Sequence, residues 1–235
     1  MKERLNLTKA STAVKVDATL YRSIVGGLRY LVHTRPDIAF VVGYISRFME
    51  DPREDHWAAV KRLLRYVKGT VDQGIIFPKI SGSRLQLTVF SDADMAGDID
   101  GRRSTSGVLV FLGSAPISCL SLKQKVVALS MYETEYVAAA TAACQVVWLH
   151  RLLGELTGVE AHPSALMVDN QPVIALAKNP VLHDQSKHID VKFHFLRDCV
   201  DGGQIIIEFV ETGRQLVDVL TKPLGRKAAL KGPLL

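Results

Sequence analysis

LQLTVFSDAD, residues 85–94, is the stretch on which the fold turns. Residues 85–90 are rich in β-forming side chains and read as a strand, which runs out into two acidic residues, Asp92 and Asp94. In an open α/β sheet, polar groups at the carboxyl ends of strands are where ligands meet the protein. LMVDNQ, residues 166–171, repeats the construction. A short buried strand over 165–168 ends in Asp169, and a helix begins near Gln171 with Pro172 in its first turn, where a missing N–H does no harm. If the two strands are parallel neighbours, Asp92 and Asp169 lie side by side. That arrangement costs repulsion unless a cation is bound between them, so it asks for a divalent metal.

Two further acidic positions extend the pattern. Glu133 and Glu135 open a long alanine- and leucine-rich helix over residues 130–156, ended by Gly158. Residues two apart on a helix point roughly 200° apart, so only one of the pair faces a given site, and spacing does not choose between them. Asp218 lies in QLVDVLTK, residues 215–222, a solitary carboxylate among leucine and valine that an oxygen-only magnesium site would explain. Each residue also has a plainer reading: Asp at a strand end as a helix N-cap, Glu in a first turn as a complement to the helix dipole, Asp218 as a solvent-facing group.

The remaining elements follow from periodicity and turn residues. Strands are expected over 107–112 and 117–122, separated by Gly113-Ser114, and over 204–210; helices over 189–200, closed by Gly202-Gly203, and through 216–220. Upstream, residues 21–49 carry apolar side chains at helical spacing, broken by Pro36, with a second helix beginning near Asp37. Another helix runs over 53–68, its apolar stripe of Trp57, Val60, Leu64 and Val67 set apart from Lys61, Arg62, Arg65 and Lys68. ISGSR, residues 80–84, is the expected boundary between this helical part and the sheet. The reading is a flexible lead-in over 1–19, a helical segment over 20–82, an α/β domain over 83–226 and a tail over 227–235.

Composition narrows the class without naming a function. The 235 residues are 48% hydrophobic and 23% charged, ordinary for a globular chain. No run of about 18 apolar residues is evident, and MKERLNLTKA lacks the apolar stretch of a secretory signal, so no membrane partner and a cytoplasmic or nuclear location are the expectations. Three scattered cysteines exclude a CxxC pair. A net charge of +5 favours a polyanionic partner only weakly.

The order and wording of the motifs carry more. SDADMAGDIDGRRSTSG (91–107), VALSMYETEYVAA (127–139), VDNQPVIALAKNPVLHDQSKHIDVKFHFLRD (168–198) and EFVETGRQLVDVLTKPL (208–224) resemble the ribonuclease H region of copia-type LTR retrotransposon polyproteins. YRSIVGGLRYLVHTRPDIAFVVGYISRFMEDPREDHWAAVKRLLRYVKGT (21–70) is similar to the connection segment those polyproteins place between polymerase and nuclease. The resemblance implies an α/β ribonuclease H-like fold: a five-stranded mixed sheet flanked by helices, preceded by a small mainly helical segment. It implies a site of Asp92, Glu135, Asp169 and Asp218 that is both catalytic and metal-binding. Glu135 is preferred over Glu133 because related nucleases follow the glutamate with an aromatic residue or leucine and an alanine three positions on, matching Tyr136 and Ala138. Two Mg²⁺ ions, for which Mn²⁺ substitutes, and hydrolysis of the RNA strand of an RNA/DNA hybrid follow from the same resemblance. So does the polymerase part of the polyprotein as a partner.

Secondary candidates are weaker. Asn170 and Gln171 are placed to read the ribose 2′-OH, or to cap a helix. Arg102 and Arg103, between the first two strands, are candidates for phosphate contacts, or form a solvated turn. His183 and His188 are candidates for proton transfer, and His194 lies nearby; structural roles are the alternative. Met95 and Cys119 stand where the family pattern has tryptophan, and Met131-Tyr132 replaces a small polar pair. No YxDD-like motif is present, so no polymerase activity is expected. The competing readings are a catalytically silent relic that binds nucleic acid or only folds, and an integrase-like recombinase, which would need its glutamate late in the chain.

Overall fold

The computed structural model describes residues 7–78, 86–158, 162–178 and 190–223. Three helices lead: α1 (Ala18–Leu31), α2 (Ala39–Ile45) and α3 (Glu54–Lys68). Asp17 caps α1, accepting from the Thr19 and Leu20 N–H groups at 2.8 and 3.2 Å. Tyr21, Val25 and Leu28 recur on one face and are buried among α2 and α3 residues. Pro36 interrupts the helical run as its missing N–H and fixed φ require, leaving a single 3₁₀ turn before α2. There Arg35 and Asp37 form a buried pair at 2.7 Å; the Tyr66 hydroxyl donates to Asp37 at 2.8 Å and Arg35 donates to the Thr70 carbonyl at 2.8 Å. The corner is thereby tied to the end of α3, with each charge hydrogen-bonded as burial demands.

Residues 7–17 depart from the expected flexible lead-in. Leu7 is buried and its carbonyl accepts from the Tyr44 hydroxyl at 3.2 Å. The Thr8 carbonyl meets the buried His56 ring at 3.1 Å, and Glu54 N–H donates to the Val14 carbonyl at 2.9 Å. The lead-in is held because its backbone satisfies groups at the start of α3. The boundary expected at residues 80–84 lies outside the described residues, as does the tail over 227–235.

Strands β1 (Leu87–Ala93), β2 (Thr105–Leu112), β3 (Ala115–Lys123), β4 (Ser164–Val168) and β5 (Ile205–Phe209) form one mixed sheet in the order β3-β2-β1-β4-β5. β1, β2 and β3 pair antiparallel, and β4 pairs parallel with both β1 and β5. This is the ribonuclease H-like fold that the motifs implied. Helices α4 (Met131–Thr157), α5 (Gln171–Lys178) and α6 (Asp190–Asp201) complete one face, and the last helix among the described residues, α7 (Asp218–Thr221), is a single turn that starts two residues later than the stretch expected over 216–220. Gly113, at φ +61, makes the β2–β3 turn, and Gly158, at φ +66, ends α4 in the left-handed conformation that favours glycine.

β2 is buried on both sides, and its alternation assigns the two cores. Val108 and Val110 join Leu87, Val89 and the Ala-rich face of α4. Leu109 and Phe111 point the other way, into a small core with Ala39 of α2 and with Val217, Val219 and Leu220 at α7. The helical segment therefore packs onto the sheet through α2 and α7. By length and composition α4 would also satisfy the requirement for crossing a bilayer, contrary to the expectation that no such run exists; in this fold its apolar side is core.

Gly107 sets how closely α7 approaches. A Cβ there would come within 2.5 Å of Val217 Cγ1, 2.8 Å of Thr221 Cγ2 and 3.1 Å of Leu220 Cβ. Gly107→Ala is expected to push α7 off β2 and to lower stability by about 1–3 kcal/mol through overpacking, read as a drop in the urea midpoint.

Candidate metal centre

Phe90 pairs with Met167 in the parallel β1–β4 ladder, so two residues further on Asp92, still in β1 opposite Gly107 of β2, and Asp169, just past β4, come side by side. Asp92 is 3% exposed and Asp169 is half-buried. Glu135, 4% exposed, reaches them from the second turn of α4. One carboxylate oxygen from each of Asp92, Glu135 and Asp169 lies within 4.8 Å of the other two.

The two glutamates that spacing left equal are placed differently. Ser130 caps α4, and the buried Glu133 side chain reaches back to accept the Leu129 N–H at 2.6 Å, a capping arrangement that engages it at the helix start. Glu135, pointing elsewhere on the circumference, accepts from the Ala93 N–H at the end of β1 and contacts the Asp92 carboxyl. Gln124, at the end of β3, donates to the Thr134 carbonyl and to the Ser106 hydroxyl, both at 3.0 Å, and so fixes the first turns of α4 against the sheet.

Asp218 stands beside the three rather than among them. It opens α7, its side chain is 28% exposed, and Lys222 Nζ lies 2.8 Å from its Oδ1. The Thr221 hydroxyl, one turn on, donates to Asp92, and the Gln215 side chain donates to the Ser91 carbonyl at 3.0 Å. α7 is thus hydrogen-bonded to the β1 end that carries Asp92.

Burial, then the negative charges of Asp92 and Asp169, push the Glu135 carboxyl up to about 9, with the Ala93 N–H working against them. Burial also raises Asp92, opposed by the Thr221 hydroxyl and the Lys222 ammonium and reinforced by Asp218 and Asp169. One Glu135 oxygen is buried without a hydrogen-bond partner. An all-oxygen donor set, mutual repulsion and an orphaned carboxylate oxygen together fit a hard divalent cation.

Over 222 residues the chain is 45% identical to the retrovirus-related Pol polyprotein from transposon RE2 of Arabidopsis thaliana, covering 94% of this chain and 15% of that protein. The Pol polyprotein from transposon TNT 1-94 of Nicotiana tabacum is 44% identical over 207 residues, 88% of this chain and 15% of that protein. The chain belongs to the copia-type retrovirus-related Pol polyproteins. It spans about 15% of the length of these Pol relatives. It is also 47% identical over 130 residues to secreted RxLR effector protein 161 of Plasmopara viticola, covering 55% of this chain and 90% of that protein. No protein-family model matches the chain. A solved foamy viral protease-reverse transcriptase in complex with RNA/DNA hybrid aligns with a TM-score of 0.57 at 11% identity, covering 87% of this chain and 26% of that one; the likeness is one of fold.

Other candidates in this Pol segment fall into distinct places. Asn170 accepts the Val173 N–H at 3.4 Å at the start of α5, the capping alternative, while Gln171 is exposed. Arg102, at φ +51, and Arg103 are exposed on the β1–β2 loop. That loop is built around buried Asp98, which is held by Arg47 at 3.0 Å, Lys123 at 2.6 Å and the Gly101 N–H at 2.8 Å. Asp94 accepts from the Thr105 N–H across the same loop. Lys61, Arg65 and Lys68 are exposed and Arg62 is half-buried on α3. His194 is exposed on α6; His183 and His188 lie outside the described residues. Thr221, Lys222 and Gly107 were missed as site residues, although a hydroxyl and an amine three and four positions after Asp218 were visible in QLVDVLTK.

The raised Glu135 carboxyl sets a pH dependence. Below its ordinary value of 4.5 both folded and unfolded states hold the proton; above that value the unfolded state ionises first, so stability falls as pH rises towards about 9. Glu135→Gln is expected to raise the stability of the cation-free protein at pH 7–8 by on the order of 1–3 kcal/mol and to flatten its pH profile, measured by urea denaturation in EDTA. Glu133→Ala should instead lower stability by about 1 kcal/mol, with divalent-ion binding by calorimetry retained.

Proposed function

We propose that this Pol segment is a ribonuclease H that hydrolyses the RNA strand of RNA/DNA hybrids, with two Mg²⁺ ions held by Asp92, Glu135, Asp169 and Asp218. The observation that carries the reading is the convergence of three carboxylates, from the end of β1, from α4 and from just after β4, on one volume at the carboxyl ends of the two central parallel strands. Bound there, divalent ions supply a Lewis acid for an attacking water and for the leaving oxygen, and Mn²⁺ offers the same chemistry.

The chain's own groups do the positioning. Thr221 orients the Asp92 carboxylate, and the Ala93 N–H orients Glu135. Asp218 adds its charge from α7, on the side where Lys222 stands. Arg102 and Arg103 meet backbone phosphates from the loop held by Asp98, which places a duplex without reading its sequence. Gln171, exposed at the start of α5 and two residues after Asp169, is the side chain assigned to the ribose 2′-OH in this reading. Residues 20–82 serve as the connection segment through which the polymerase part of the polyprotein delivers its hybrid, and residues 83–226 as the nuclease, acting in the cytoplasm or nucleus.

Incubation with a hybrid labelled on both strands and Mg²⁺ is expected to release fragments of the RNA strand only. Asp92→Asn and Asp169→Asn should each reduce that release to background while the protein stays folded by circular dichroism. Intact RNA after incubation with folded wild-type protein would overturn the proposal in favour of a silent relic.

A further inference from the structure

The acidic centre contains a basic side chain that no ligand scheme uses. Lys222 follows α7 directly, with extended backbone at φ −139 and ψ 152, and its side chain turns back to bring Nζ 2.8 Å from Asp218 Oδ1. On an isolated surface helix, an acid and a lysine four apart form an ordinary pair of little consequence. This pair differs in its surroundings. The lysine side chain is 46% exposed, and its charge bears on Asp92 of β1 and Asp169 at the end of β4 as well as on Asp218. The charges of carboxylates on three separate elements therefore act on one ammonium group, with Asp218 in direct contact.

The backbone fixes that placement. Lys222 N–H donates to the Asp218 carbonyl at 3.1 Å, and the preceding Thr221 hydroxyl donates to Asp92. The Ser121 hydroxyl donates to the Leu220 carbonyl at 2.7 Å, anchoring the same turn to β3. The lysine stem thus starts from a point tied to both β1 and β3, and the ammonium is delivered to the Asp218 side of the acidic cluster.

We propose that the Lys222 ammonium is a resident cation of the centre, one that holds the Asp218 carboxylate and competes there with a divalent ion. The proposal rests on the reading of these carboxylates as a metal centre. An ammonium and a divalent cation brought to the same carboxylate compete for it, because their like charges repel at close range. Lys222 offsets the repulsion among Asp92, Asp169 and Asp218 when no ion is bound. The same charge makes the Asp218 side the last to load, so the tightly grouped Asp92, Glu135 and Asp169 take the first ion.

Calorimetric titration of the full chain with Mg²⁺, in the absence of nucleic acid, tests this. Lys222→Met removes the charge and keeps most of the stem. It is expected to lower the half-saturating Mg²⁺ concentration of the weaker binding step by roughly tenfold. Lys222→Arg keeps the charge and should titrate like the wild type. If Lys222→Met titrates like the wild type while Asp92→Asn loses binding, the role of Lys222 is overturned and the metal centre stands. Tightening by Lys222→Arg equal to that by Lys222→Met also overturns it, because charge would then not be the cause. If neither the wild type nor Lys222→Met binds Mg²⁺, the metal-centre reading fails and the proposal with it.

Discussion

Repulsion among Asp92, Glu135 and Asp169 is the constraint on which the rest of the structure depends. Burial and close approach disfavour ionisation at Asp92 and Glu135, and the fold brings the three carboxylates together only because several elements hold them. The parallel β1–β4 register fixes two of them side by side. The buried body of α4 holds the third, with Glu133 and Gln124 fastening its first turns. The close approach of α7 to Gly107 lets Thr221 and Lys222 act on the first.

The helical segment contributes to the same arrangement from outside the sheet. Ala39 of α2 completes the small core that seats Val217 and Leu220, so the position of α7 depends on packing from the N-terminal part of the chain. Arg47, just after α2, holds Asp98 and with it the loop that carries Arg102 and Arg103. Lys9 N–H donates to Asp100 of that loop at 2.9 Å, and the Thr8 hydroxyl donates to the same side chain. The N-terminal part of the chain is in this way bonded to the loop that follows the Asp92-bearing strand β1.

The departures from the family's wording are unequal in weight. Met95 is exposed, so its substitution for a larger aromatic residue leaves no void in a core. Cys119 packs against the core shared by β2 and α7, where burial raises its thiol to about 11 and a smaller side chain costs contact. Met131 lies exposed at the start of α4, away from the packing that positions Glu135.

Element order, the break at Pro36, the glycine stop at Gly158 and the two strand-end aspartates were legible in the sequence because each follows from local chemistry: alternation, a fixed φ, a left-handed terminus, an apolar run meeting a carboxylate. Motif wording further singled out Glu135. The sequence could not reveal that residues 7–17 pack against the start of α3, or that α7 begins only at Asp218, since both depend on partners distant in the chain. It left Glu133 and Glu135 equal by spacing; the tertiary structure separated them, engaging one at the helix start and turning the other towards Asp92. Lys222 shows the same division most clearly. Its identity was plain in QLVDVLTK, but only the packing of α7 on Gly107 brought its charge to carboxylates more than fifty residues away, because electrostatic partnership is set by distance in space and not along the chain.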